Sequence, residues 1–469
     1  MRILNNLIFG NMLRSYSVFI IYAVLSLIFF NSCEKEDLNF IKEEQVEGLL
    51  LTESSRDSTY TDAELLKVLK EETEFLELEQ KGHIADISGM DIVKENPKKI
   101  YVHYLPWFQN KAFDGYWGQH WTMSNQNPDI QMPNGNLQIA SHYYPLIGPY
   151  SSSDPDLHEY HFLMMKLSGI DGVIFDWYGS RDLHDYGLIK KSTETFIKTL
   201  EDLDLTFSIM YEDRVALQAT EESLSTGVIK AAQEDLTYIN SVYFSSPKYM
   251  TYKDKKMLFV FGPNYLKTEA EWNEVFDILP PENHPDFLTL WAAKDRVGVN
   301  ASGEFLWVDK DHLLAHQYYY DTYQSFNKTT VGSSYPGFKS FYTQGGWQDG
   351  INDWTIDINA GQTFVETLNY THHELSDFIQ IITWNDFGEG TMIEPTQEFG
   401  FTFLQILQEY TGVSFTVNDL EIALDLYNTR KDYRDNIEAQ KFLNRTYKYI
   451  KNLNIQRADM ILKAVKRFY

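Results

Sequence analysis

The fold class this sequence predicts is α/β, with parallel strands closed into a (β/α)8 barrel of the TIM type. Three observations lead there. Short apolar runs alternate with helical patterns, which implies a parallel sheet. About eight such units fall within roughly 290 residues, which suits a closed barrel better than an open sheet. Several of the runs end in polar and aromatic clusters: His103-Tyr104-x-x-Trp107, Asp176-Trp177-Tyr178, Tyr211-Glu212-Asp213-Arg214 and Trp384-Asn385-Asp386. In a parallel barrel all strand C-termini share one face, so clusters scattered along the chain converge there.

The elements follow in order. Residues 1–32 carry Arg2 and Arg14, no acidic residue, and an apolar run from Val18 to Phe30, with Ser32-Cys33 after it. This pattern predicts a lipoprotein signal peptide cleaved before Cys33, whose thiol receives the lipid. The run is short for a permanent transmembrane helix. The acidic Glu34-Lys35-Glu36-Asp37 that follows resembles a surface-export tag. The expected location is therefore an outer-membrane lipoprotein exposed at the cell surface, with an inward-facing lipoprotein ranked second. Residues 33–96 read as a tether with one helical patch around Asp62–Glu79. The barrel domain is assigned to residues 97–400. Its strand candidates are Ile100–Tyr104, Gly172–Asp176, Thr206–Tyr211, Met257–Phe261, Phe287–Trp291, Leu313–Tyr320, Val331–Phe338 and Phe378–Thr383. Helical patterns lie between them at Asp156–Ser168, Tyr186–Leu203, Glu222–Asn240 and Glu269–Leu279. Residues 401–469 form a helical extension that caps the barrel, with helices expected at Phe403–Tyr410, Asp419–Tyr427 and Ile437–Phe468.

Composition narrows the function. The formal net charge of −27 disfavours a nucleic-acid partner. Glu421–Tyr469 departs from this, with eleven basic residues against six acidic, and reads as a solvated helix face. One cysteine in 469 residues excludes an intrachain disulfide framework and a cysteine-rich metal site. The aromatic share of 15% exceeds what a core demands and favours a carbohydrate ligand, although most of these rings are expected to fill the core. His103, His120 and His142 lack the paired spacing of a zinc site and are expected to form hydrogen bonds instead. No metal and no cofactor is expected.

The chemistry concentrates in Thr383–Pro395. A short buried strand, Phe378–Ile382, runs into a turn bearing Asp386 and Glu389 beside Trp384. Cleavage of a glycosidic bond requires a proton donor at the leaving oxygen and a second group across the sugar ring, and two carboxylates from one turn can supply both. Glycines 388 and 390 give Glu389 backbone freedom. Glu394, before Pro395, is a third candidate, although Glu at such a loop exit is more often a hydrogen-bonding brace. Asp176, Glu212 and Arg214 are expected to bind sugar hydroxyls or orient the acid. Tyr104, Trp107 and Trp117 are candidates for a stacking platform, and His142, Trp384 and Glu394 complete the expected substrate-binding set.

These motifs resemble the related glycoside hydrolase families 99 and 71. The resemblance rests on His142-Tyr143-Tyr144-Pro145-Leu146-x-Gly148-Pro149-Tyr150, on Gly169–Trp177 and on Trp384–Pro395. It implies a (β/α)8 enzyme acting on α-linked glycans, with an α-mannoside first and an α-1,3-glucan or another polysaccharide second, cleaving within the glycan chain. It gives Glu389 the role of general acid. Asp386 takes the place of the base that, in family 99, removes the sugar 2-hydroxyl proton to form a 1,2-anhydro intermediate with net retention. Family 99 has Glu at that position and this chain has the shorter Asp, as in family 71. The competing class is a non-catalytic glycan-binding lipoprotein on the same barrel.

Overall fold

The computed structural model describes residues 60–82, 89–200, 203–322, 328–347, 352–371 and 376–469. The signal peptide, Cys33 and the first part of the tether lie outside them. Among the described residues no helix is long and apolar enough to cross a membrane.

Apolar runs of five or six residues, buried on both faces, set most of the barrel strands. They are β1 (Ile100–Tyr104), β2 (Gly172–Trp177) and β3 (Thr206–Tyr211), then a two-residue β4 (Thr251–Tyr252) turned back onto β5 (Lys255–Val260). β6 (Asp286–Leu290), β7 (Ala301–Phe305) and β8 (Thr329–Ser334) follow, and β9 (Phe338–Lys339) and β10 (Thr355–Ile356) form a separate antiparallel pair. β11 (Phe378–Ile381) completes the wall. The order is β3-β2-β1-β11-β8-β7-β6-β5, and β5 pairs back onto β3, so eight parallel strands close.

Alternation along these strands decides which side chains face the axis. Tyr101, Ile174, Met210, Phe259, Leu288 and Phe378 pack together inside the barrel. Val102, Tyr104, Phe175, Trp177, Ile209 and Tyr211 belong to the layer between strands and helices. In β2 the inward set continues to Asp176, and past β3 it continues to Glu212.

One strand expectation fails and one barrel strand goes unforeseen. Leu313–Tyr320 is helical, and the sixth barrel strand in chain order is Ala301–Phe305, which no expectation covered. The first error has a physical cause: the Tyr-rich run has high β propensity, yet it buries Ala315, His316, Tyr319 and Tyr320, the spacing of a helix face. The missed strand, Ala-Ser-Gly-Glu-Phe, has little apolar signal. Its Gly303 lies so close to its neighbours that a Cβ would sit 2.2 Å from the Thr329 carbonyl oxygen.

The longer helices are α1 (Asp62–Gln80), α2 (Pro155–Leu167), α3 (Tyr186–Leu200), α4 (Arg214–Glu221), α5 (Val228–Tyr238), α6 (Glu269–Phe276), α7 (Leu313–Thr322) and α8 (Gln362–Thr371). They continue with α9 (Thr402–Thr411), α10 (Val417–Asp432), α11 (Ile437–Lys451) and α12 (Ile455–Phe468). The stretch expected as one helix over Ile437–Phe468 is therefore two. Leu453 takes a positive φ of 59°, and the Asn454 side chain accepts from the Arg457 backbone N–H to start the second helix.

The basic C-terminal segment is not simply a solvated face. Helix α1 packs on α11 and α12, and its Glu72 carboxylate is fully buried between them. It accepts hydrogen bonds from Arg445 Nε at 2.8 Å, Arg457 Nε at 2.8 Å and the Tyr449 hydroxyl at 2.9 Å. Glu71 pairs with Arg457 and Glu79 with Lys448 around this centre. Removing one partner of a buried pair leaves uncompensated charge. Glu72→Ala is expected to cost about 3–5 kcal/mol in unfolding free energy, measured by chemical denaturation. A loss below 1 kcal/mol would show that the clamp does not hold α1.

Candidate active site

The site begins where β11 meets β1. The Trp384 backbone N–H donates to the His103 carbonyl at 2.7 Å. The Asn385 side chain then pairs with both backbone groups of Leu105, accepting from its N–H at 2.9 Å and donating to its carbonyl at 3.1 Å. Asp386 follows immediately. Its backbone N–H donates to Thr383 Oγ1 at 2.8 Å, and its Oδ1 accepts the Glu389 backbone N–H at 2.9 Å, closing a tight turn. Gly390 takes φ +66°, and a Cβ there would lie 2.8 Å from the Lys339 carbonyl oxygen. That carbonyl belongs to the segment backing the turn, where the Lys339 and Phe341 N–H groups donate to the Glu389 and Gly388 carbonyls, both at 2.8 Å. The Tyr342 hydroxyl donates to Glu389 Oε1 at 3.1 Å.

This turn opens into a cavity of about 620 Å³ at the strand C-termini. Six residues singled out from sequence line it: Trp107, Asp176, Glu212, Arg214, Asp386 and Glu389. Asp176 and Glu212 reach it because they occupy the inward register at the ends of β2 and β3. The Tyr178 hydroxyl donates to Asp176 Oδ2 at 2.8 Å, while Asp176 Oδ1 is buried without a protein hydrogen-bond partner. Arg214 stands at the exposed edge beside Tyr186 and Glu212.

Burial raises the proton affinity of the cavity carboxylates, and neighbouring charge adds to it at Asp176. Burial pushes Asp386 up to about 6, against the backbone N–H groups of Glu389 and Gly388. Burial also lifts Glu212 to about 7, opposed by Arg214 and the Tyr178 hydroxyl. Asp176 is held well above the ordinary carboxylate range, first by burial and then by the charge of Glu212, with smaller contributions from Asp386 and Glu389. Such raised values put carboxyl groups in the range needed for acid and base work near neutral pH.

The remaining expected residues are elsewhere. Tyr104, Trp384 and Glu394 do not reach the cavity; all three are buried in the layer behind the strands. Tyr104 has the outward parity of Val102 and bonds His161 Nδ1 at 2.9 Å. Glu394 accepts from the Tyr150 hydroxyl at 2.7 Å. Trp117 donates to Asp129 on the outer loop at 2.9 Å, and His142 bonds the Ser340 carbonyl at 3.1 Å; neither lines the cavity. His103 lies in the barrel interior, with Nε2 3.0 Å from Gln380 Oε1.

Several lining residues, Tyr342, Trp347, Asp185 and Tyr186 among them, were not among the expected site residues. An aromatic arc runs from Tyr342 to Trp347, whose ring meets His120 edge-on at 5.7 Å. His120 stacks on Trp107 at 4.0 Å and is anchored by Asp185 at 3.1 Å. The arc continues to Tyr178 and Tyr186, which stack at 5.1 Å. Only alternation at the strand ends could have found part of this set, since the loops supply the rest.

A carboxylate-floored, aromatic-walled cavity at the mouth of a (β/α)8 barrel suits a sugar chain. The family model of glycosyl hydrolase family 99 matches residues 96–280, and that of a domain of unknown function, DUF5010, matches residues 297–420. The chain is a distant homologue of glycoside hydrolase family 99. It is 23% identical to a glycoprotein endo-α-1,2-mannosidase of Xenopus laevis, over 37% of this chain and 39% of that protein. It is 24% identical to a glycoprotein endo-α-1,2-mannosidase-like protein of Danio rerio, over 63% of this chain and 70% of that protein. The fold is that of a family 99 endo-α-mannosidase from Bacteroides thetaiotaomicron, with a TM-score of 0.52 at 18% identity, covering 70% of this chain and 99% of that one. The family 99 match covers β1 to β5 with Asp176 and Glu212, whereas Asp386 and Glu389 fall in the second matched segment.

Glu212 gives a test of the raised proton affinity. Its carboxyl holds a proton more tightly folded than unfolded. The associated stability is present below the unfolded value of about 4.3 and is lost as pH rises through about 7. Glu212→Gln removes that loss. The melting temperature of the variant, relative to wild type, is expected to be about 2 °C more favourable at pH 8 than at pH 4.5. An equal offset at both pH values overturns the assignment.

Proposed function

We propose that this protein cleaves α-mannosidic linkages inside a glycan chain, with Glu389 as general acid and Asp386 as base. One observation carries the reading: the Asp386–Glu389 turn opens into the same cavity as Asp176 and Glu212. The names of the similar proteins, endo-α-1,2-mannosidases, supply the linkage class.

Glu389 receives the Tyr342 hydroxyl on one oxygen and lines the cavity together with Asp176 and Asp386. Asp386, pushed to about 6, is ionised at neutral pH and basic enough to accept a proton. The step assigned to it is removal of the sugar 2-hydroxyl proton. That oxygen attacks its own anomeric carbon while Glu389 protonates the departing oxygen. Water then attacks the anomeric carbon and gives its proton to Glu389, while Asp386 returns its proton to the 2-oxygen as the anhydro C–O bond breaks, with net retention. The aromatic arc offers faces for the C–H surfaces of neighbouring sugars. The signal-peptide pattern ending at Cys33 supports a lipid-anchored protein at the cell surface.

Glu389→Gln is expected to lower kcat/KM on an α-mannan by roughly 10²–10⁴-fold while glycan binding persists. Wild type that binds α-mannan without releasing any fragment makes the protein a glycan-binding module instead. NMR of the first product is expected to show the α-anomer; a β-anomer assigns Asp386 to activation of water. The kcat/KM profile is expected to rise with pH through an apparent value near 6 as the cluster ionises, and Asp386→Asn to abolish that limb.

A further inference from the structure

Behind the Asp386 turn, on the side away from the cavity, lies a polar cluster that makes no contact with the cavity. Glu394 is fully buried, eight residues after Asp386, and the chain brings it back under the turn through backbone bonds from Ile393 to Thr383 and from Glu394 to Trp384. Glu394 Oε2 accepts from the Tyr150 hydroxyl at 2.7 Å. That hydroxyl in turn accepts from Asn385 Nδ2 at 3.1 Å. Glu394 Oε1 faces His161 Nε2 at 3.3 Å, and His161 Nδ1 lies 2.9 Å from the Tyr104 hydroxyl.

The hydrogen-bond directions are fixed by chemistry. The Tyr150 hydroxyl has one proton and gives it to Glu394 Oε2, so its lone pairs turn to the Asn385 amide. That leaves the Asn385 amide with both protons engaged, one by Tyr150 and one by the Leu105 carbonyl, and its oxygen engaged by the Leu105 N–H. Asn385 therefore has one orientation, and Asp386 is the next residue. A buried polar side chain needs such partners, so the turn and the Glu394 side chain fix each other.

We propose that Glu394 and Tyr150 are positioning residues, which set the placement of Asp386 through Asn385. The role rests on the hydrolase reading, because placement matters to rate only if Asp386 acts on substrate. A displacement near 1 Å at a reacting group costs roughly 100-fold in rate.

Tyr150→Phe deletes the hydroxyl alone, and Glu394→Gln keeps an acceptor oxygen toward Tyr150. Steady-state kinetics on an α-mannan, melting temperatures and crystal structures of both variants test the role. Tyr150→Phe is expected to lower kcat by roughly 10–100-fold with KM within about twofold, and Glu394→Gln to lose less than Tyr150→Phe. The Asn385–Asp386 turn is expected to shift in the Tyr150→Phe crystal while the barrel stays in place. Variants that keep kcat within twofold, or lose activity only in step with melting temperature, overturn the role. If wild-type protein proves inactive on every α-mannan, the hydrolase reading fails separately. The crystal structures then decide placement alone, an unmoved turn counting against it.

Discussion

The seam between β1 and β11 is the constraint on which the site depends. Parallel pairing of Ile100 with Ile379 and of Val102 with Ile381 brings the two strand ends side by side. The chain leaving β11 is then stitched to β1 by Trp384 and Asn385 before it reaches Asp386. Were the barrel open, these groups would face water and the turn would be one loop conformation among many. Closure through β3 and β5 makes the seam rigid and carries Asp176 and Glu212 to the same mouth.

Electrostatics follows from that enclosure. Carboxylates drawn from three strand ends share one poorly solvated space, so burial makes Asp386, Glu212 and Asp176 harder to ionise, and the neighbouring charges add to this at Asp176. The one arginine among the cavity-lining residues, Arg214, sits at the edge, where its effect on Glu212 is partial. The result is a set of groups able to hold and release protons near neutral pH. The protein elsewhere uses buried charge differently: at Glu72, two arginines and a tyrosine satisfy the carboxylate and lock the N-terminal helix to the C-terminal layer.

Much of this was legible from the chain, and the failures have physical causes. Seven of the eight barrel strands were found, at least in part, because strands buried on both faces leave continuous apolar runs. Ala301–Phe305 was not, because its place depends on Gly303 packing against Thr329 rather than on apolarity. The Tyr-rich stretch at Leu313–Thr322 misled because propensity is local and the helix face is set by what packs on it. Asp176 and Glu212 reached the cavity as expected from their strand-end positions. Tyr104 and Trp384, at equivalent strand ends, turned away from it, because a shift of one residue along a strand sends a side chain to the other face.

The sequence by itself determined the class of fold, the family to which the chain is related, and the turn carrying Asp386 and Glu389. These are properties of local pattern: apolar runs, their spacing, and acidic residues beside glycines. Only the tertiary structure decided which strand-end side chains share a cavity and which brace it from behind. It moved Glu394 from the expected sugar contacts to a support beneath Asp386, and the basic C-terminal residues from a solvated face to a clamp on α1. Register, closure and burial are relations between segments far apart in the chain, and no single stretch of sequence contains them.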